Sequence, residues 1–328
     1  MNSMEGTTEE NSFNRPFPAL TAAQRWHLEV NGYVVIENVL DGDQVACILE
    51  ALQKLKAQFM AASDPWNTKI CNCHMFGQEL LGEHSHFNHL IEADSIFLDY
   101  AANPRIVGMA EEVVGGTVRV TETQAAINRR KPGERYDGPG RYNWHRHRPQ
   151  MITYIDRGLF HCTFVKGITN LTELGPDDGG TAVIAGSHKV GCPEEGIVRA
   201  AREDPSLIHR VVAPAGSTLF FCESLLHATG DVRSDKERAI IVTGYMPWNR
   251  RSGTGIEISE GFAEKVPESL QKLIFGSDLN TRLRRRTLDM TVGSADPGEY
   301  ISGWSVTSAD PQSYEANDLT APQRMRES

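Results

Sequence analysis

The feature that most constrains the fold is a change of character at Thr117. From there the chain passes through short runs rich in β-branched, aromatic and other apolar residues, at 117–128, 151–155, 159–168, 181–185, 208–212, 217–222 and 239–246. Gly, Pro, Asp and Asn separate these runs, and helical periods are scarce among them. About eight short strands with turn signals between them specify a mainly β sandwich or jelly roll. The length of 328 residues allows a real core. Forty per cent hydrophobic and 23% charged residues exclude wholesale disorder, collagen and coiled coil.

The part before Thr117 has a different pattern. Thr21 is placed to cap a helix running to about Val30, with Gly32 ending it. Tyr33-Val34-Val35-Ile36 reads as a strand. Asp41 opens a helix whose apolar positions Val45, Leu49, Leu52 and Leu55 keep the helical period. The stretch from about Trp66 to His89 is irregular and histidine-rich. Pro104 opens a helix that ends at Gly115-Gly116, and a last short helix spans Pro267 to Phe275. With no internal repeat and no obvious linker, the expected organisation is a flexible lead over 1–19, a single domain over 20–289 and a polar, mobile tail over 290–328.

The formal charge of −10 argues against a nucleic-acid partner. No apolar run approaches the ~18 residues of a membrane span, and the acidic N-terminus does not resemble a signal peptide. Six cysteines are few for this length and suggest reduced thiols in a cytoplasmic protein.

Three segments could carry chemistry. In Trp144-His145-Arg146-His147, a strand would turn both imidazoles to one side, a geometry that suits metal chelation. The plain alternative is a polar strand end flanked by solvated Arg146 and Arg148. In the second segment an apolar strand from Gly216 is followed by His227, and Arg238 opens the next apolar strand. Imidazoles leave open positions on iron, and an arginine nearby can grip a carboxylate with both arms; otherwise Arg238 is a strand-start arginine in solvent. The third runs from Asp177-Asp178-Gly179-Gly180-Thr181 to Gly186-Ser187-His188: a turn, a buried strand and a second tight turn. His188 fits a turn or capping role better than a metal role.

In this order and spacing the three segments resemble the phytanoyl-CoA dioxygenase family of iron(II)/2-oxoglutarate-dependent oxygenases. That pattern runs Trp-His-x-Asp, then a Gly-x-Thr turn with Gly-Ser-His, then a distal His with Arg eleven residues on. The opening Leu20-Thr21 with Asn31-Gly32-Tyr33 through Ile36, and the late Val266-Pro267 with Leu270 to Leu273, extend the similarity over roughly 20–276. The resemblance implies a double-stranded β-helix, a jelly roll or cupin-like core, with flanking N-terminal helices and one iron at an open end. It implies that His145 and His227 bind Fe(II), and that Arg238, helped by Thr181, holds the far carboxylate of 2-oxoglutarate. Molecular oxygen and a small organic substrate, natural-product-like or lipid-like, would complete the reaction. Hydroxylation is the default, and desaturation, cyclisation or endoperoxidation are variants.

Position 147 departs from the pattern, because the family has a carboxylate where this chain has histidine. Either His147 is a third imidazole ligand, or it swings away and leaves two, or it marks a degenerate member that survives as a partner subunit or binding module of an active homologue; a homodimer, or a heterodimer with a homologue, is the expected assembly. Related halogenases have Gly or Ala there and admit a halide, so halogenation is not expected. Tyr142 stands where endoperoxide-forming members often have Gln, which weakens the transfer of detailed substrate chemistry. Cys71-Asn72-Cys73-His74 and His84-Ser85-His86 through His89 lack the regular pairs of a zinc finger; His74, His86 or His89 could instead line a pocket. Met75 and Phe76 suggest packing, His161 and Cys162 suggest core, and Arg282 to Arg286 suggest a solvated helix face.

Overall fold

The computed structural model describes residues 18–76, 84–130, 133, 142–147, 149–250 and 258–276. The expected lead before residue 18, the tail, the 282–286 basic run and Arg148 lie outside the described residues.

The strands are β1 (Tyr33–Ile36), β2 (Lys69–Ile70), β3 (Cys73–Phe76), β4 (His84–Asn88), β5 (Val118–Asn128), β6 (Thr153–Asp156), β7 (Leu159–Cys162), β8 (Val165–Asn170), β9 (Ala182–Ile184), β10 (Ile208–Arg210), β11 (Thr218–Cys222), β12 (His227–Ala228) and β13 (Arg238–Pro247). An eight-stranded antiparallel sheet has the order β1-β11-β8-β13-β5-β4-β3-β2. A three-stranded sheet, β10-β9-β12, contributes Val183 to the same apolar core as Ile168, Phe221, Ile240 and Val242 of the large sheet. β6 and β7 form a separate hairpin. The fold is therefore the expected mainly β jelly-roll type, with flanking helices in its N-terminal part, interleaved with the first four strands.

Those helices are α1 (Ala22–Asn31), α2 (Gly42–Met60), α3 (Ser95–Ala101) and α4 (Pro104–Val114). Their ends are where the local chemistry places them. Thr21 and Asp41 each form a capping box with the glutamine three residues on, and Gly32 and Gly115 end α1 and α4 in the left-handed conformation. The buried stripe of α4 packs on β5, β7, β8 and β13. Later come α5 (Pro149–Ile152), α6 (Glu194–Glu203), α7 (Glu260–Ala263) and α8 (Glu268–Phe275), the last packed on β5.

Four local readings need correction. Among the described residues from Trp66 to His89, β2, β3 and β4 extend the large sheet where an irregular stretch was expected, with β4 alternating half-buried His and Asn with buried Ser85 and Phe87. Phe76 is exposed, unlike its neighbour Met75. The run 159–168 breaks into β7 and β8, which belong to different sheets. The segment at His145 forms an isolated bridge rather than a strand. Helices α3 and α6 lack a sequence-based counterpart.

Candidate active site

The isolated bridge is what brings the two histidines together. His145 N–H donates to the His227 carbonyl and His227 N–H donates back, both at 3.1 Å. The imidazole centroids are 4.2 Å apart. Each ring also has its Nδ1 2.9 Å from a backbone carbonyl two residues earlier, Asn143 for His145 and Leu225 for His227. A carbonyl only accepts, so Nδ1 carries the proton and the lone pair is left on Nε2, as metal-binding histidines require. Burial, only partly opposed by the Glu223 carboxylate, pulls His227 down to about 4, so it is neutral at physiological pH. Ser187 buttresses this end: its hydroxyl donates to the Ile184 carbonyl at 2.6 Å and accepts from Leu226 N–H at 2.9 Å.

The same two histidines line a cavity of about 110 Å³ that also receives Arg238 and Thr181. Alternation along β13 aims Arg238, Ile240 and Val242 into it. Arg238 is fully buried, against the solvent alternative. Burial lowers its guanidinium to about 10, still well above neutrality. Nη2 donates to the Thr181 hydroxyl at 3.3 Å, while Nε and Nη1 have no partner. A buried cation with two unanswered N–H groups in a cavity is a receptor for an anion, and a carboxylate matches the fork. Thr181 reaches this point because Gly179 turns through positive φ and Gly180 lies against the Val211 carbonyl, where a Cβ would collide. His86 lines the same cavity; burial and then Arg238 lower it to about 4.

Beside the histidines is a charge cluster that sequence reasoning missed. Glu223 lies between β11 and β12, with its carboxylate oxygens 3.8 Å from His227 Nε2 and 3.9 Å from His147 Nε2. Lys166 Nζ, on β8, is 2.9 Å from Glu223 and 2.9 Å from Glu122 of β5. Burial opposes the Lys166 charge, but the two carboxylates outweigh it and hold the ammonium above its ordinary value. Likewise Glu223 stays ionised despite its burial, chiefly because of Lys166. The Lys166–Glu122 pair spans β13 at Gly244, which is paired with both and has no side chain to block them. The available signal was a lone acid inside the apolar run Phe220-Phe221-Cys222-Glu223-Ser224-Leu225-Leu226.

His147 enters at the rim. Its N–H donates to the Glu223 carbonyl at 2.7 Å, and its side chain is 57% exposed. Among the described residues no three His, Cys, Asp or Glu side chains stand close enough to chelate an ion as placed. Ligand atoms joined to one metal by bonds of about 2.1 Å at right angles are about 3 Å apart, so Glu223 stands under an ångström too far from His227 and from His147. The donor chemistry nonetheless fits a metal at His145 and His227, and the unpaired guanidinium fits a carboxylate cosubstrate.

A model of the phytanoyl-CoA dioxygenase (PhyH) family matches residues 28–240. The chain belongs to this family. Phytanoyl-CoA dioxygenase family members are iron- and 2-oxoglutarate-dependent enzymes. Among solved structures, HygX from Streptomyces hygroscopicus with nickel and 2-oxoglutarate bound is 18% identical, with a TM-score of 0.56 over 71% of this chain and 89% of that one. EctD from S. alaskensis with 2-oxoglutarate and 5-hydroxyectoine is 19% identical, with a TM-score of 0.55 over 80% and 92%. The non-heme alpha ketoglutarate dependent carbocyclase SnoK from nogalamycin biosynthesis is 15% identical, with a TM-score of 0.53 over 76% and 91%. At such identities these structures establish the phytanoyl-CoA dioxygenase-type fold. No curated protein matches by sequence.

Other candidates fall away from the site. His74 and His89 line a separate hollow with Trp66 and Lys69. His188 is buried in its turn and meets the Glu29 carbonyl at 3.2 Å. His161 and Cys162 are buried. Arg146 is not a solvated arginine: its guanidinium donates to the carbonyls of Ser187, Val190 and Cys192 and so ties the histidine segment to the 187–192 turn. Among the described residues no helix is long and apolar enough to cross a membrane, and all six cysteines are free.

Proposed function

We propose that this protein is an iron(II)- and 2-oxoglutarate-dependent oxygenase that oxidises a C–H bond of a small organic substrate, with hydroxylation the default outcome and a cytoplasmic setting. The observation that carries this reading is the buried Arg238 guanidinium, with two unpartnered N–H groups in the cavity that His145 and His227 also line. A protein that had lost its cosubstrate would gain stability by losing such a charge. HygX, solved with iron bound and with nickel and 2-oxoglutarate bound, supports a metal and 2-oxoglutarate here.

In this reading His145 and His227 hold the metal through Nε2. The third protein position lies on the side where His147 and Glu223 meet. Arg238 grips the far carboxylate of 2-oxoglutarate, and the Thr181 hydroxyl steadies one guanidinium arm. Iron, when bound, supplies the oxidation of substrate by oxygen, with the keto acid released as succinate and carbon dioxide. The residues of the chain orient the cosubstrate, and the apolar Ile240, Val242 and Phe221 limit water beside it. The test is anaerobic loading with Fe(II) followed by oxygen-dependent succinate release, for wild type and for His227→Ala. Protein that binds neither Fe(II) nor 2-oxoglutarate would end this reading.

A further inference from the structure

The cluster of Glu122, Lys166 and Glu223 contains two carboxylates and one ammonium, so it has one negative charge beyond its own neutralisation. Glu223 is only 3% exposed in its side chain, and it is flanked by the Nε2 atoms of His227 and His147 at 3.8 and 3.9 Å. Lys166 holds Oε1 at 2.9 Å, and Oε2 is the oxygen turned to His147. The backbone of Glu223 is pinned as well, its N–H donating to Phe164 at 3.0 Å and its carbonyl accepting from His147. A buried, positioned carboxylate in a cluster with surplus charge, facing two imidazole nitrogens, calls for a cation.

A metal that also held a keto acid and oxygen would need about three ligands from the chain. His145 and His227 fill two of these, so His147 and Glu223 compete for the last. Resting on the reading proposed above, we infer that Glu223 is the carboxylate ligand of the metal, supplying from the end of β11 the acid that position 147 lacks, and that His147 remains outside the ligand set. Two features favour Glu223. Its desolvation is complete in the folded chain, whereas His147 is 57% exposed and would have to be ordered. It also restores the two-histidine-one-carboxylate combination suited to oxygen-activating iron, which three neutral imidazoles do not. Lys166 and Glu122 would then be positioning residues, holding the carboxylate in place as partners of metal ligands commonly do.

The test is Co(II) titration of the full-length protein without oxygen or 2-oxoglutarate, followed by the visible absorption of the bound ion and by calorimetry. Wild type, Glu223→Gln, His147→Ala and the double variant Glu223→Gln/His147→Asp are compared. Loss of an outer partner of a ligand weakens metal binding by about 10–100-fold; loss of the ligand itself is expected to weaken it by more than about 100-fold. Glu223→Gln should therefore lose affinity on that scale and change the absorption band. His147→Ala should stay within about threefold of wild type, because no ligand is lost, and the double variant should recover most of the binding by restoring an acid at position 147. If His147→Ala loses the metal, or Glu223→Gln keeps it with an unchanged spectrum, the assignment is overturned. If Glu223→Gln does not fold, Glu223→Asp takes its place: a shifted absorption band with weakened binding supports Glu223, and an unchanged band and affinity overturns it. A folded wild type that takes up no Co(II) instead removes the metal reading on which the inference rests.

Discussion

Replacing Arg238 by methionine should make the protein more stable and unable to recognise 2-oxoglutarate. Methionine keeps an unbranched apolar stem and removes the guanidinium. Burial depresses that group from 12.5 to about 10, which converts to about 3 kcal/mol of penalty on the charged form. The unpartnered Nε and Nη1 express the same penalty as missing hydrogen bonds. Against it stands the single bond to Thr181, about 1 kcal/mol. The net expectation is a gain of about 2 kcal/mol, or a rise of about 4–8 °C in Tm for a domain of this size. The assay is thermal unfolding of metal-loaded protein with and without 2-oxoglutarate. At about 100 times its Kd the cosubstrate should stabilise wild type by about 2.7 kcal/mol and leave Arg238→Met unmoved. A variant less stable than wild type in the absence of ligand, or one that keeps the full ligand shift, would refute the view that this charge is stored for an absent anion.

Thr181→Val should weaken 2-oxoglutarate binding about fivefold, the worth of one hydrogen bond of about 1 kcal/mol, as read by calorimetry. Gly180→Ala should cost about 1–3 kcal/mol, because its Cβ meets the Val211 carbonyl; the urea midpoint should fall while the slope is kept. Metal-free protein should lose stability on acidification in a defined window. His227, His86 and His188 are each held down to about 4, mainly by burial, whereas in the unfolded chain they titrate near 6.5. Between those values the unfolded state binds more protons, so their contribution is complete above about pH 6.5 and disappears as the pH falls toward 4. Urea midpoints that stay flat across that window would contradict the burial of these rings.

The parts of the site legible in the sequence are those whose meaning is local. Thr21 and Gly32 bound a helix by their own backbone chemistry. Arg238 opens an apolar strand, so period-two alternation alone sends it the way of Ile240 and Val242. The order of His145, the Gly-Gly-Thr turn, His227 and Arg238 identified the family. What was illegible depends on strand adjacency. Glu223 acquires a role only because β8, β13 and β5 lie side by side and bring Lys166 and Glu122 to it. Strand β4 was hidden by its His and Asn content, although its alternating burial is that of a sheet strand with one covered face. Helix α6 escaped notice because it is short and its apolar side is narrow, with Ile197 and Val198 only partly covered and Ala201 alone fully buried.

The strand order has a consequence in time. Tyr33 pairs with Phe221 and Asn128 with Arg238, so the large sheet closes only after nearly the whole domain has left the ribosome. Such non-local pairings make folding slow, because long loops must be closed before any contact rewards them. His227 and Arg238 belong to the last strands to emerge, and the first of those strands finds His145 only through a single bridge. The pocket is thus incomplete until β13 has been made. Cofactors present during synthesis have nothing to bind until then, while β1 and β5 wait with unpaired edges. Cooler, slower expression should accordingly raise the yield of active protein more than added iron does.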